Sequence, residues 1–137
     1  MSKLICGCDP GVRTGLAIWD CEKQKFENVE TCGIISAMQK IRWQTDDIKL
    51  VRFEDARLRK GYYGKRGDVN HQGVGSVKRD CKIWQEFCEY YKIPFQAVAP
   101  QKGQTKWSSD YFKRVTGWTG RTSEHARDAA VLVFGSK

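Results

Sequence analysis

Three carboxylates and a histidine are spaced so that one fold could gather them. Asp9 closes an apolar run, Leu4-Ile5-Cys6-Gly7-Cys8, and stands just before Pro10-Gly11. Glu54 closes a second apolar run, while His125 and Asp128 are three residues apart, the spacing of one helix face. A carboxylate at the end of a buried strand is unfavourable unless a cation or hydrogen bonds compensate it. Several in one basic chain point to Mg²⁺, with Mn²⁺ able to replace it, because hard oxygen donors suit ions that also take phosphate oxygens. Two ions about 4 Å apart would activate an attacking water and stabilise the leaving oxygen of a phosphodiester. Imidazole is a poor first ligand for Mg²⁺, so His125 either orients the nucleophilic water or reaches an ion through water. Glu124, one turn from Asp128, and Asp55, beside Glu54, are reserve ligands. Each position also has a purely structural reading: Asp9 as a turn former, Glu54 and Asp55 beside Arg57 as a local ion pair, Asp128 paired with Arg127 or Arg121.

The partner class follows from charge. Twenty-four Lys and Arg face 16 Asp and Glu, a formal net charge of +8 that favours a polyanion such as nucleic acid. Arg57, Arg59, Lys60, Lys65 and Arg66 cluster with no acid among them, Tyr62 and Tyr63 sit between, and Lys78, Arg79 and Lys82 follow. At 137 residues the chain has the size of one domain, expected to span 1–137 without a linker or repeat. No apolar run approaches the roughly 18 residues of a membrane span, and the N-terminus lacks a signal-peptide pattern, so a soluble protein without a membrane partner is expected. Six cysteines lack any CxxC pair and read as buried free thiols of a reducing compartment.

The elements that must position these groups are legible from periodicity. Residues 3–9, Val12 to Trp19 and Lys25 to Thr31 read as strands joined by short turns, an antiparallel meander. Ser36 to Trp43 suits a helix, and Ile48 to Glu54 a strand covered on both faces. Glycines make 57–73 a loop, and from Val74 apolar residues recur at helical spacing to Ile93-Pro94. Trp84 and Phe87 on that helix serve either the core or an interface. Phe95 to Ala99 reads as a fifth strand, Ser108 to Val115 as a short helix, and Ser123 as the N-cap of a last helix. The order predicts an α/β fold, a five-stranded mixed sheet with a parallel fourth and fifth strand, flanked by helices. A crossover through the first helix would make the fourth strand parallel to the first and, if the two are neighbours, set Asp9 and Glu54 side by side.

Cys8-Asp9-Pro10-Gly11 with Thr14-Gly15-Leu16-Ala17, Glu54 at the end of the fourth strand, and His125-Ala126-Arg127-Asp128-Ala129-Ala130 together resemble the RuvC-type Holliday junction resolvases of the ribonuclease H-like superfamily. The short chain is similar to the compact phage-encoded branch. The resemblance implies a homodimer that nicks four-way or otherwise branched DNA in pairs, with two metal ions held by Asp9, Glu54 and Asp128 and bridged by Asp9. It implies that the loop after Glu54 and the following helix approach the junction, where Tyr62 and Tyr63 suit stacking on unpaired bases. Lys102 and Lys106 fall where that family places phosphate-contacting lysines, and a bacterial or phage-infected cytoplasm is the expected location. Other readings remain: a related nuclease acting on RNA or flaps, and a catalytically silent nucleic-acid-binding module. Asp9-Pro10-Gly11-Val12-Arg13-Thr14-Gly15 also resembles the phosphate loop of actin-like sugar kinases, but those need two large domains and are excluded by length.

Overall fold

Near-continuous apolar runs, buried on both faces and separated by polar turns, build the first two sheet strands. The computed structural model of the protein describes residues 3–58, 71–100 and 106–137. Strands β1 (Leu4–Asp9), β2 (Arg13–Asp20) and β3 (Lys25–Gly33) form the expected antiparallel meander. Asp20 closes the second turn: its Oδ1 accepts the backbone N–H groups of Glu22 and Lys23 at 2.9 Å. Helix α1 (Ile34–Trp43) crosses to β4 (Ile48–Glu54), and α2 (His71–Tyr90) crosses to β5 (Phe95–Val98). Helices α3 (Ser109–Thr116) and α4 (Glu124–Val131) complete the described chain. Their N-caps are Ser108 and Ser123, whose side chains accept from Tyr111 and Ala126 N–H groups.

The sheet order is β3-β2-β1-β4-β5, with β1, β4 and β5 parallel. This is the mixed α/β sheet predicted by the order of elements. Helix α2 starts at His71, three residues before the apolar stripe begins. The near-continuous apolar run of β4 has a local cause. Leu4 pairs with Ile48 but Ile5 with Leu50, so Lys49 is an extra residue at a bulge. Beyond it, Leu50 packs on one face of the sheet and Val51 and Phe53 on the other.

Two apolar layers result. Cys6, Cys8, Leu16, Val51 and Phe53 pack against Ala37 and Ile41 of α1 and Cys81, Trp84 and Cys88 of α2. Ile5, Ala17, Trp19 and Val29 pack against Phe112 of α3 and Ala126, Ala129 and Ala130 of α4. Trp84 and Phe87 are therefore core residues. The six cysteines are free thiols, and Cys6, Cys8, Cys81 and Cys88 are buried. Burial pushes the Cys81 thiol up to about 11 and Cys88 up to about 12, which keeps both neutral and unreactive. Among the described residues no helix is long and apolar enough to cross a membrane.

The second layer depends on two glycines. A Cβ added at Gly7 would fall far inside van der Waals contact with the Ala129 carbonyl oxygen. One added at Gly15 would strike the His125 carbonyl in the same way. Helix α4 thus rests backbone on backbone against β1 and β2, and any side chain there must push it off the sheet. Gly7→Ala and Gly15→Ala are each expected to destabilise by about 3 kcal/mol, at the upper end for an overpacked core. Gly75→Ala, with open space at its Cβ inside α2, is expected to stabilise by up to about 1 kcal/mol. Equilibrium urea unfolding checks all three.

Candidate active site

Strand pairing delivers the first two carboxylates. Cys8 of β1 pairs with Phe53 of β4, so Asp9 and Glu54 follow at one level, at the carboxyl ends of adjacent parallel strands. Cys8 and Phe53 pack toward α1 and α2, so alternation turns Asp9 and Glu54 to the face covered by α4. On its other side Asp9 pairs with Gly15, the residue that admits the first turn of α4. His125 lies on that turn, and its Nδ1 is 2.9 Å from Asp9 Oδ2. One turn further, Asp128 Oδ2 accepts a hydrogen bond from Lys106 Nζ at 2.6 Å. The same ammonium is 4.0 Å from Glu124 Oε1, at the exposed rim.

The charges of these groups are coupled. Burial lifts the Asp9 carboxyl above its ordinary range; the His125 hydrogen bond and charge pull it back, and Asp128 lifts it again. Partial burial opposes the Lys106 charge, but the hydrogen bond to Asp128, the Asp128 charge and then Glu54 and Asp9 hold the ammonium above its ordinary range. Its contacts are to two acids of α4, Asp128 and Glu124. The donors are oxygen atoms of the kind Mg²⁺ and Mn²⁺ take, and a cation of the protein already compensates them, so the set fits a divalent ion by its chemistry. In the present arrangement, however, Asp128 faces Lys106 and Asp9 faces His125. Among the described residues no group of three or more His, Cys, Asp and Glu is placed to hold a metal.

Asp55, the reserve ligand beside Glu54, is engaged elsewhere. It is 1% exposed and accepts Arg57 Nε and Nη2 at 2.9 and 2.8 Å, together with the Arg57 backbone N–H. Arg57 Nη2 also donates to Gln85 Oε1 of α2 at 2.7 Å. This clamp holds the short turn Ala56–Leu58 after Glu54 and makes the Arg57 side chain a brace as much as a surface cation. Of the other basic residues, Arg79 and Lys82 are exposed on α2, across the sheet from Asp9, and Lys78 is half-buried there. Arg59, Lys60, Tyr62, Tyr63, Lys65, Arg66 and Lys102 lie outside the described residues.

Several contributors had little or no sequence signal. The resemblance singles out Lys106 as a phosphate contact, but nothing near it in sequence marks it as a partner of Asp128, 22 residues away. Arg127, beside Asp128, donates instead to the carbonyls of Trp107 and Thr122 and to the Thr122 hydroxyl, pinning both segments that precede the site. Gly7 carried a faint signal, a small residue within an apolar strand and a run of small residues in α4. No protein-family model and no curated protein matches the chain.

The clamp has a pH signature. Burial alone would raise the Asp55 carboxyl, but the Arg57 hydrogen bonds and charge hold it below its ordinary 3.8. A carboxylate depressed on folding adds stability above its unfolded pKa and loses it as pH falls through the folded value. The wild-type melting temperature should therefore drop below about pH 4. Arg57→Met is expected to remove about 2 kcal/mol at neutral pH, less than a fully buried pair because Arg57 is partly exposed. It should also flatten the acid limb without abolishing it, since Asp20 and Glu30 are held low as well. Thermal melts of both proteins from pH 3 to pH 8 provide the comparison.

Proposed function

We propose that the protein is a divalent-metal-dependent, structure-selective DNA endonuclease of the RuvC kind, built on a ribonuclease H-like fold and acting as a homodimer on four-way or otherwise branched DNA. The observation that carries the reading is the placing of Asp9 and Glu54 at one level on adjacent parallel strands, with His125 of α4 bonded to Asp9 and Asp128 one turn further along that helix. Support for the fold comes from the strand order and the helix that closes over β1 and β2. Asp9, Glu54 and Asp128 would hold two Mg²⁺ ions, or Mn²⁺ in their place. When bound, such ions supply an activated water and stabilise charge on the departing oxygen.

The chain's own residues divide the remaining work. His125 is fixed by Asp9 through Nδ1, and its half-exposed ring leaves Nε2 to orient a water on the scissile phosphate. Lys106 would place a positive charge beside the phosphate, and the basic residues after Glu54 together with Lys102 would add affinity for the DNA backbone. Arg57 keeps the turn after Glu54 rigid, so that the carboxylate does not need to be ordered during the reaction. Two sites related by a two-fold axis match the near symmetry of a four-way junction.

A labelled four-way junction and its linear duplex arms, incubated with Mg²⁺, test the reading. The wild type is expected to nick the junction in preference to the arms, and Asp9→Asn to slow cleavage about a thousandfold, several kcal/mol of transition-state stabilisation. A junction left intact in both Mg²⁺ and Mn²⁺ overturns the nuclease reading and favours a binding module. Preferential cleavage of RNA or flap substrates keeps the chemistry and replaces the substrate.

A further inference from the structure

Lys106 does more in this structure than offer a surface charge. Its ammonium is bonded to Asp128 at 2.6 Å and lies 4.0 Å from Glu124. Its position is imposed from the backbone. The next carbonyl, that of Trp107, accepts Arg127 Nε at 2.8 Å, and the Trp107 ring packs against Tyr111, Phe112 and Phe134. Arg127 belongs to the same helix as Asp128, so the root of Lys106 is tied to the element that carries its partner. The side chain beyond that root is 58% exposed, while Asp128 is 17% exposed. The flexible partner can swing into water, and the fixed one cannot follow.

One ammonium offsets at most one of the acids at this edge, so a divalent ion is still attracted to them. It cannot share Asp128 Oδ2 with an ammonium at 2.6 Å, because both would occupy the same space in front of that oxygen. We infer that Lys106 is a built-in counter-ion of the carboxylate cluster, which stabilises the metal-free protein and must be displaced before a divalent cation reaches Asp128. The inference rests on the metal-dependent reading of the site and adds its regulation: metal affinity is set by competition with a residue of the chain.

Mg²⁺ alone is the probe, with two readouts that do not require catalysis. Calorimetric titration should show Lys106→Met binding Mg²⁺ about fivefold more tightly than wild type, the scale of a partly exposed ion pair. Lys106→Arg, which keeps the charge, should remain near wild type. In wild type labelled with ¹³C at lysine Cε, the Lys106 signal should move with the midpoint of Mg²⁺ binding. Melts in chelator establish that the variants fold, and the wild-type lysine signal decides the matter if they do not. Equal Mg²⁺ affinity in wild type and Lys106→Met, with an unmoved lysine signal, overturns the counter-ion role while leaving the metal site standing. Absence of Mg²⁺ binding in wild type and both variants overturns the counter-ion role and the metal-dependent reading together.

Discussion

The closeness of one helix to the sheet governs the rest of this molecule. Helix α4 meets β1 and β2 at Gly7 and Gly15, where carbonyl oxygens of Ala129 and His125 occupy the space a side chain would fill. Interiors are packed densely enough that such a contact is either made fully or lost. Because it is made, the first two turns of α4 lie over the ends of the strands, and His125 reaches Asp9 directly. Ala126, Ala129 and Ala130 serve the same approach from the helix side, being small and fully buried.

That closeness brings like charges together, and the structure answers with cations and hydrogen bonds. Asp9 is compensated by His125, and Asp128 by Lys106, whose charge also feels Glu54. Convergent carboxylates in a hydrophobic layer would otherwise favour protonation or expulsion of the helix. Asp55, one residue beyond Glu54, has a separate solution, a two-pronged Arg57 contact anchored to Gln85. Adjacent acids on one strand end thus face different surroundings: Glu54 turns toward the cluster, Asp55 toward a structural clamp.

The two faces of the sheet are specialised accordingly. Toward α1 and α2 it presents cysteines, Val51 and Phe53 in an apolar layer whose thiols burial keeps neutral. Toward α3 and α4 it presents glycines and small or aromatic residues, and at its carboxyl edge the charged groups. An edge of this kind, where parallel strands end and helices begin, is where open α/β sheets leave room for a ligand. Exposed Arg79 and Lys82 of α2 lie across the sheet, so a polyanion touching them and the cluster would have to wrap the edge.

By itself the sequence determined the elements and their order, because period-two and helical spacings, polar turns and the Ser123 cap are local properties of the chain. It also determined that Asp9 and Glu54 would end parallel strands on the same edge, because a strand-helix-strand crossover sets the direction of the second strand; that β1 and β4 are adjacent came from the sheet order. The separation of His125 and Asp128 placed them on one helix face. Tertiary structure alone decided which partner each acid takes. Sequence proximity offered Arg127 to Asp128, yet Arg127 turns to the carbonyls of Trp107 and Thr122, and Lys106 arrives from another segment. Asp55 and Glu54, equivalent as neighbours in the chain, were separated by the side of the strand each faces. The bulge at Lys49 and the clearance at Gly7 and Gly15 were likewise beyond local patterns. Such features depend on what packs against a residue from far along the chain, and spacing carries no record of that distance.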